Sequence, residues 1–107
     1  MGIKGDKMEK DSVISAELLL EKIGSISGLT NKKMFGGHGL FHQGKMFGLI
    51  DSKGVAFLKA DEELKTALVA KGAHQHSRMP YYSIPTTIWN DPKELTDWAN
   101  RAIELSK

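Results

Sequence analysis

No cysteine occurs in the 107 residues. That absence excludes a disulfide framework, thiolate metal sites, thiol catalysis and iron–sulfur clusters. Long apolar runs are missing too, and nothing approaches the length of a membrane span. The opening Met1-Gly2-Ile3-Lys4-Gly5-Asp6-Lys7 has no apolar stretch of the kind a secretory signal needs. Asp6 stands where a myristoylation motif requires Ser or Thr. The expectation is a cytoplasmic protein with no membrane partner. An excess of one charge is also lacking: the net charge is +2, too small to argue nucleic-acid binding by itself.

What is present is ordinary for a folded domain, with 40% hydrophobic and 26% charged residues. A chain of this length can bury roughly two-thirds of its surface, enough for one core without staples. One domain over residues 8–107 is expected, with residues 1–7 disordered. Charge is unevenly spread. Residues 22–59 hold six lysines and one acid, Asp51, and residues 64–90 hold Lys65, Lys71 and Arg78 without an acid. The middle of the chain is therefore a candidate basic face built from Lys32, Lys33, Lys45, Lys53 and Arg78. The plainer reading is a solvated surface whose lysines keep strand edges soluble.

Apolar residues at Ala16, Leu19, Leu20, Ile23 and Ile26 follow the helical period and predict a helix over residues 12–26, capped by Asp11 or Ser12. From residue 34 to 59, short apolar runs alternate with turn signals, the pattern of a meander. Gln43-Gly44 is a two-residue turn, and Asp51-Ser52-Lys53-Gly54 a longer one. The run over residues 46–50 is apolar throughout. Simple alternation puts Met46 and Ile50 on one face and Phe47 and Leu49 on the other. Such a strand needs cover on both sides, from helices on both or from helices on one and a second subunit on the other.

Asp61-Glu62-Glu63 opens a helix that buries Leu64, Ala67 and Leu68 and ends at Lys71-Gly72. Residues 73–88 show no helical period. Pro80 and Pro85 bracket Tyr81-Tyr82-Ser83-Ile84, which fits a short edge strand. Asp91-Pro92-Lys93-Glu94 is a helix start, and Leu95, Trp98, Ala99, Ala102 and Ile103 make its core-facing stripe. The order is α-β-β-β-α-β-α, with one more strand suggested at residues 32–35. The predicted class is α+β, an antiparallel sheet of four to five strands flanked by helices.

The motifs that carry chemistry fail at their key positions. Gly39-Leu40-Phe41-His42-Gln43-Gly44-Lys45-Met46 nearly spells a phosphate-binding loop, but Met46 replaces the hydroxyl that would hold magnesium. Gly24-Ser25-Ile26-Ser27-Gly28 outlines a nucleophile elbow with Ile26 where Ser must be. The glycine cluster Gly36-Gly37-His38-Gly39 precedes a strand, not a helix, so it reads as a bend where a Cβ would clash. The pairs His38/His42 and His74/His76 each share a face of an extended segment, without the carboxylates a metal site would add. Tyr81 and Tyr82 beside Arg78 have the makings of a base-stacking patch, but rings packed in the core explain them more simply. Trp89 and Trp98 likewise read as core anchors. Carboxylate pairs such as Glu62/Glu63 and Asp91/Glu94 are explained by helix starts. No catalytic residue, metal ligand or cofactor site is predicted.

Two stretches together are distinctive. One is Met34-Phe35-Gly36-Gly37-His38-Gly39-Leu40-Phe41, followed by a turn glycine and Met46-Phe47. The other is Met79-Pro80-Tyr81-Tyr82-Ser83-Ile84-Pro85, followed by Asp91-Pro92 and Leu95, Trp98 and Ala99. Over residues 8–106 the chain resembles the N-terminal domain of the TfoX/Sxy family, bacterial regulators of natural competence. The resemblance implies a secretion-chaperone-like α+β domain. It also implies a regulatory role without enzymatic activity or cofactor, exercised with the transcription machinery or a cyclic-AMP receptor-type protein. Full-length members carry a second, C-terminal domain, which these 107 residues do not include. The family transfers no catalytic or ligand residue onto this chain. Phe35, Gly36, Gly37, Gly39, Tyr81, Tyr82 and Pro85 are therefore read as fold-defining.

Three functional expectations follow. The first is a non-enzymatic regulatory domain acting through protein partners, with a homodimer through an uncovered sheet face or edge. The second is direct nucleic-acid binding by Lys32, Lys33, Lys45, Lys53 and Arg78. The third is a small-ligand site at the bend over residues 36–39, lined by His38, His42 and Tyr82.

Overall fold

Helical periodicity marks the part of a helix that packs, not the point at which its hydrogen bonding begins. The first helix illustrates this. The structure, a computed structural model, describes the backbone of residues 4–34 and 36–107 and the side chains of residues 13–34 and 36–107. Helix α1 spans Lys4–Lys22, starting well ahead of Asp11 and Ser12, the expected caps, whose side chains lie outside the described residues. Most of the segment expected to be disordered, residues 4–7, lies in this helix, and the rest of it, residues 1–3, lies outside the described residues.

The chain continues through β1 (Leu29–Met34), β2 (Gly37–His42), β3 (Lys45–Ile50), β4 (Ala56–Lys59), α2 (Glu62–Ala70), β5 (Tyr81–Ser83), α3 (Thr86–Trp89) and α4 (Pro92–Ser106). The five strands lie in the order β1-β2-β3-β4-β5, each antiparallel to its neighbours. The fold is α+β in the expected element order, and the suggested extra strand is β1. Helix α3 is a single turn set by Pro85, too short to leave a period in the sequence.

Caps and turns hold these elements in place. Asp61 accepts from the Leu64 N–H at 2.9 Å, and Asp91 from the Lys93 and Glu94 N–H groups at 3.2 Å each. Gln43 and Gly44 both adopt positive φ, 50° and 83°, the geometry of a tight hairpin. Asp51 Oδ1 accepts from the Lys53 and Val55 N–H groups at 2.9 Å and so shapes the β3–β4 turn.

The helices cover one face of the sheet. Ala16, Leu19 and Ile23 of α1, Leu64 and Leu68 of α2, and Leu95, Trp98, Ala99, Ala102 and Ile103 of α4 share a core with Leu40, Phe47, Ile50, Leu58 and Tyr82 of the strands. The expected alternation along β3 does not hold. The β2–β3 register slips between Leu40, opposite Gly48, and Phe41, opposite Met46, which leaves Phe47 as an extra residue. The bulge puts Phe47 with Ile50 in the helical core, and Met46 with Leu49 in a second cluster. The strand is apolar on both sides as expected, but the partition is Phe47/Ile50 against Met46/Leu49.

Two motif glycines sit where side chains are resisted to different degrees. A Cβ on Gly37 would stand on the Ile50 carbonyl oxygen, which belongs to the backbone of β3 and cannot step aside. A Cβ on Gly39 would meet Phe41 Cε1 at 2.9 Å, Met34 Sδ at 3.0 Å and Met46 Sδ at 3.1 Å, all ends of side chains that can turn. Gly37→Ala should therefore cost about 3 kcal/mol and Gly39→Ala about 1 kcal/mol. The check is urea unfolding, read as a larger fall in midpoint for Gly37→Ala at unchanged slope.

Candidate functional site

Residues directly opposite one another in an antiparallel sheet share a face. Pairing across the strands therefore traces the side of the sheet that carries no helix. One row runs Lys32, Gly39, Leu49, Phe57, Ser83 from β1 to β5. A second places Thr30, Phe41 and Met46 side by side, and Lys59 opposite Tyr81. Leu49, Phe57 and Tyr81 form an apolar cluster with Met46 packed against it.

Cover on this side comes from the segment between α2 and β5. Its residues 74–76 run beside β5: the Ser83 N–H donates to the His74 carbonyl at 2.9 Å and the His76 N–H to the Tyr81 carbonyl at 2.8 Å. So β5 is the edge strand expected, and this segment runs along its outer side through an isolated bridge of Gln75 to Tyr82. Ser83 Oγ accepts the His74 N–H at 2.9 Å and lies 3.1 Å from its Nδ1. The His74 ring meets Phe57 edge-on at 5.7 Å, and the His76 ring lies tilted over it at 4.7 Å. Ser77, with φ of 55°, turns the chain back, and Gln75 Nε2 donates to the Met79 carbonyl at 3.0 Å.

This cover is incomplete. A cavity of about 300 Å³ remains, lined by Met34, Gly37, His38, Met46, Leu49, Ile50, Asp51, Ser52, His76 and Met79. It brings together three of the five methionines of the chain. Its one carboxylate, Asp51, already serves two backbone N–H groups. Among the described residues, no three of His, Cys, Asp and Glu come together as a metal site would require. The thioethers make the wall soft and adaptable, suited to apolar groups of varied shape.

The expected pocket of His38, His42 and Tyr82 is not formed. Strands β2 and β5 are separated by β3 and β4, about 14 Å at the usual strand spacing. His38 lines the methionine cavity, His42 lies against Gly28, and Tyr82 borders a separate hollow with Asp61, Lys65 and Arg78. The proposed basic face is scattered as well. Lys45 begins β3 and Lys53 lies in the turn beyond its other end, about 20 Å apart along the strand. Lys32 and Lys33 lie on outer strand β1, whereas Arg78 lies beyond β5, about 19 Å across the sheet. Phe35 is outside the described residues. Tyr81, Tyr82 and Pro85 are buried, and Gly36 has a φ of 78°.

Charge is segregated between the layers. No strand contains Asp or Glu, while the strands carry Lys32, Lys33, Lys45 and Lys59. The ion pairs Lys65–Glu62, Arg101–Asp97 and Lys107–Glu104 all belong to α2 and α4 or the residue after them. Sequence reasoning missed the role of residues 73–79. The signal was the alternation of His74 and His76, which pack against one ring, and Met79 just beyond.

The model of the TfoX N-terminal domain matches residues 19–106. The chain belongs to the TfoX N-terminal domain family. No curated protein matches it. The family match takes in the end of α1, the whole sheet, the segment that roofs it and α4, so every residue of the methionine cavity lies inside this TfoX N-terminal domain. Among the described residues, no helix is long and apolar enough to cross a membrane.

Burial beneath this cover raises the Tyr81 hydroxyl above its ordinary value of 10.0. Folding therefore favours the un-ionised phenol. Its contribution to stability is whole below pH 10.0 and is lost as the pH climbs through the raised value. Melting temperatures followed from about pH 9 to about pH 12 should fall less steeply for Tyr81→Phe than for the parent domain.

Proposed function

We propose that this TfoX N-terminal domain is a non-enzymatic regulatory module of bacterial competence. In this reading it is cytoplasmic and acts by docking a protein partner, a component of the transcription machinery or a cyclic-AMP receptor-type regulator. The observation that carries the reading is the helix-free sheet face. It holds Met34, Met46, Leu49, Phe57 and Tyr81 under a partial roof, with Met79 39% exposed at its rim. An apolar hollow of this kind on a small domain marks an interaction surface.

The lack of a chemical role is supported by what surrounds the cavity. The two imidazoles nearest Phe57 pack against its ring, one edge-on and one tilted, and Asp51 is bonded into a turn. The nearby hydroxyl–imidazole pair, Ser83 with His74, does not line the methionine cavity, and Ser83 Oγ accepts the His74 N–H in holding the roof to β5. Phosphate-driven binding of nucleic acid is disfavoured by the scatter of Lys32, Lys45, Lys53 and Arg78 around the sheet.

Met79 is the place to test this, because its side chain is at the rim and outside the main core. Met79→Glu should leave the melting temperature within about 4 °C of the parent. The same change should abolish induction of a competence-gene reporter in the source cell. Full induction by a folded Met79→Glu variant would refute docking at this face.

A further inference from the structure

We infer that the segment docked on the methionine cavity is acidic and amphipathic: one large apolar side chain enters the cavity and carboxylates flank it over Lys32 and Lys59. The inference rests on the docking reading above and adds the chemistry of the partner.

Shape supplies the apolar half. A cavity of about 300 Å³ lies at the lower limit of small-molecule pockets. It suits a single anchoring side chain better than a ligand with its own polar groups, since the wall is mostly thioether and aliphatic. A Cβ on Gly39 would meet Phe41 Cε1 at 2.9 Å and the sulfurs of Met34 and Met46, two of the wall residues, at 3.0 and 3.1 Å, so its absence gives room to these two thioethers. Both are flexible, so the floor can adjust to Leu, Met or Phe.

Charge supplies the acidic half. Lys32 lies opposite Gly39 on β1, and Lys59 opposite Tyr81 on β4, so the two cations flank the apolar rows on the same face. Neither has an ion-pair partner among the described residues, where the pairs are confined to α2, α4 and the residue after it. The strands hold no acid, and Asp51, the one carboxylate of the cavity wall, is turned into the β3–β4 turn by two backbone N–H groups, so Lys32 and Lys59 favour carboxylates over a basic segment. A duplex would need many phosphate contacts, and two lysines around a methionine hollow do not provide them.

The probe is a library of random peptides of about twelve residues, long enough to cross the sheet, selected against the immobilised domain. Selected peptides should carry Asp or Glu around a large apolar residue. They should lose binding to Met79→Glu, and lose about tenfold against the Lys32→Glu/Lys59→Glu double variant, as the attractions of exposed Lys32 and half-buried Lys59 become repulsions. In the source cell, the double reversal should cut reporter induction while the fold, followed by melting, is kept. Selection of basic or uncharged sequences, failure to select any peptide, or unchanged affinity in the double variant overturns the inference. So does tighter binding to duplex DNA than to the peptides, or a dimer in light scattering that Met79→Glu dissolves. If Met79→Glu abolishes induction and the double reversal does not, the docking reading stands and the acidic partner falls.

Discussion

One extra residue in β3 determines how the two sides of the sheet are furnished. Without a bulge, Met46, Gly48 and Ile50 would share one face and Phe47 and Leu49 the other. The slip at Phe47 breaks that alternation. A fully buried ring is handed to the helical side, where α1 and α4 close over it. Met46 and Leu49, three residues apart, are left together on the other side with Phe57 and Tyr81. The same strand thus supplies the centre of the main core and the floor of the cavity. Gly48, inside the bulged stretch, lets the Phe57 carbonyl approach to where a Cβ would meet it at 2.7 Å.

What was legible in the sequence follows from how each element is stabilised. Helix α4 could be read in full because an N-cap, an N1 proline and a five-residue apolar stripe all agree. Helix α2 and the Gln43-Gly44 hairpin were equally plain, since their signals are local. The partition of β3 was not, because a bulge is set by pairing with β2 and leaves no mark in an unbroken apolar run. The start of α1 was hidden for a related reason: a helix can run on past its packed stripe. The roof over the second face was also invisible. It depends on Ser83, nine residues away in sequence, holding His74 in place. From the sequence, His74 and His76 invited a metal reading, whereas in the fold both rings lie against Phe57.

The two sides of the sheet solve the same problem differently. On the helical side, burial is complete, and the helices carry the carboxylates with their own cations nearby. Ser15 Oγ, donating to the Gly54 carbonyl at 2.6 Å, ties α1 to the β3–β4 turn and closes that side further. On the other side, cover is a single extended segment whose polar groups are satisfied by β5. Such a segment can shield a ring or two but cannot fill the space a helix would fill. The remainder is the methionine cavity.

That remainder is what the proposed docking role rests on. A catalytic pocket needs polar groups converging on a reacting atom, held by a rigid shell. Here the groups that converge are thioether sulfurs, the least committed of side chains. The nearby hydrogen-bonding groups are engaged in building the roof and the β3–β4 turn: Ser83 with His74, Gln75 with Met79, Asp51 with Lys53 and Val55. Much of the nearby polar chemistry is thus spent in shaping the hollow, and what the hollow offers outward is mostly apolar and deformable, with Lys32 and Lys59 farther out on the same face. A surface with those properties suits the proposed kind of ligand, one recognised by burial and by sign of charge. The proposed partner segment can provide both.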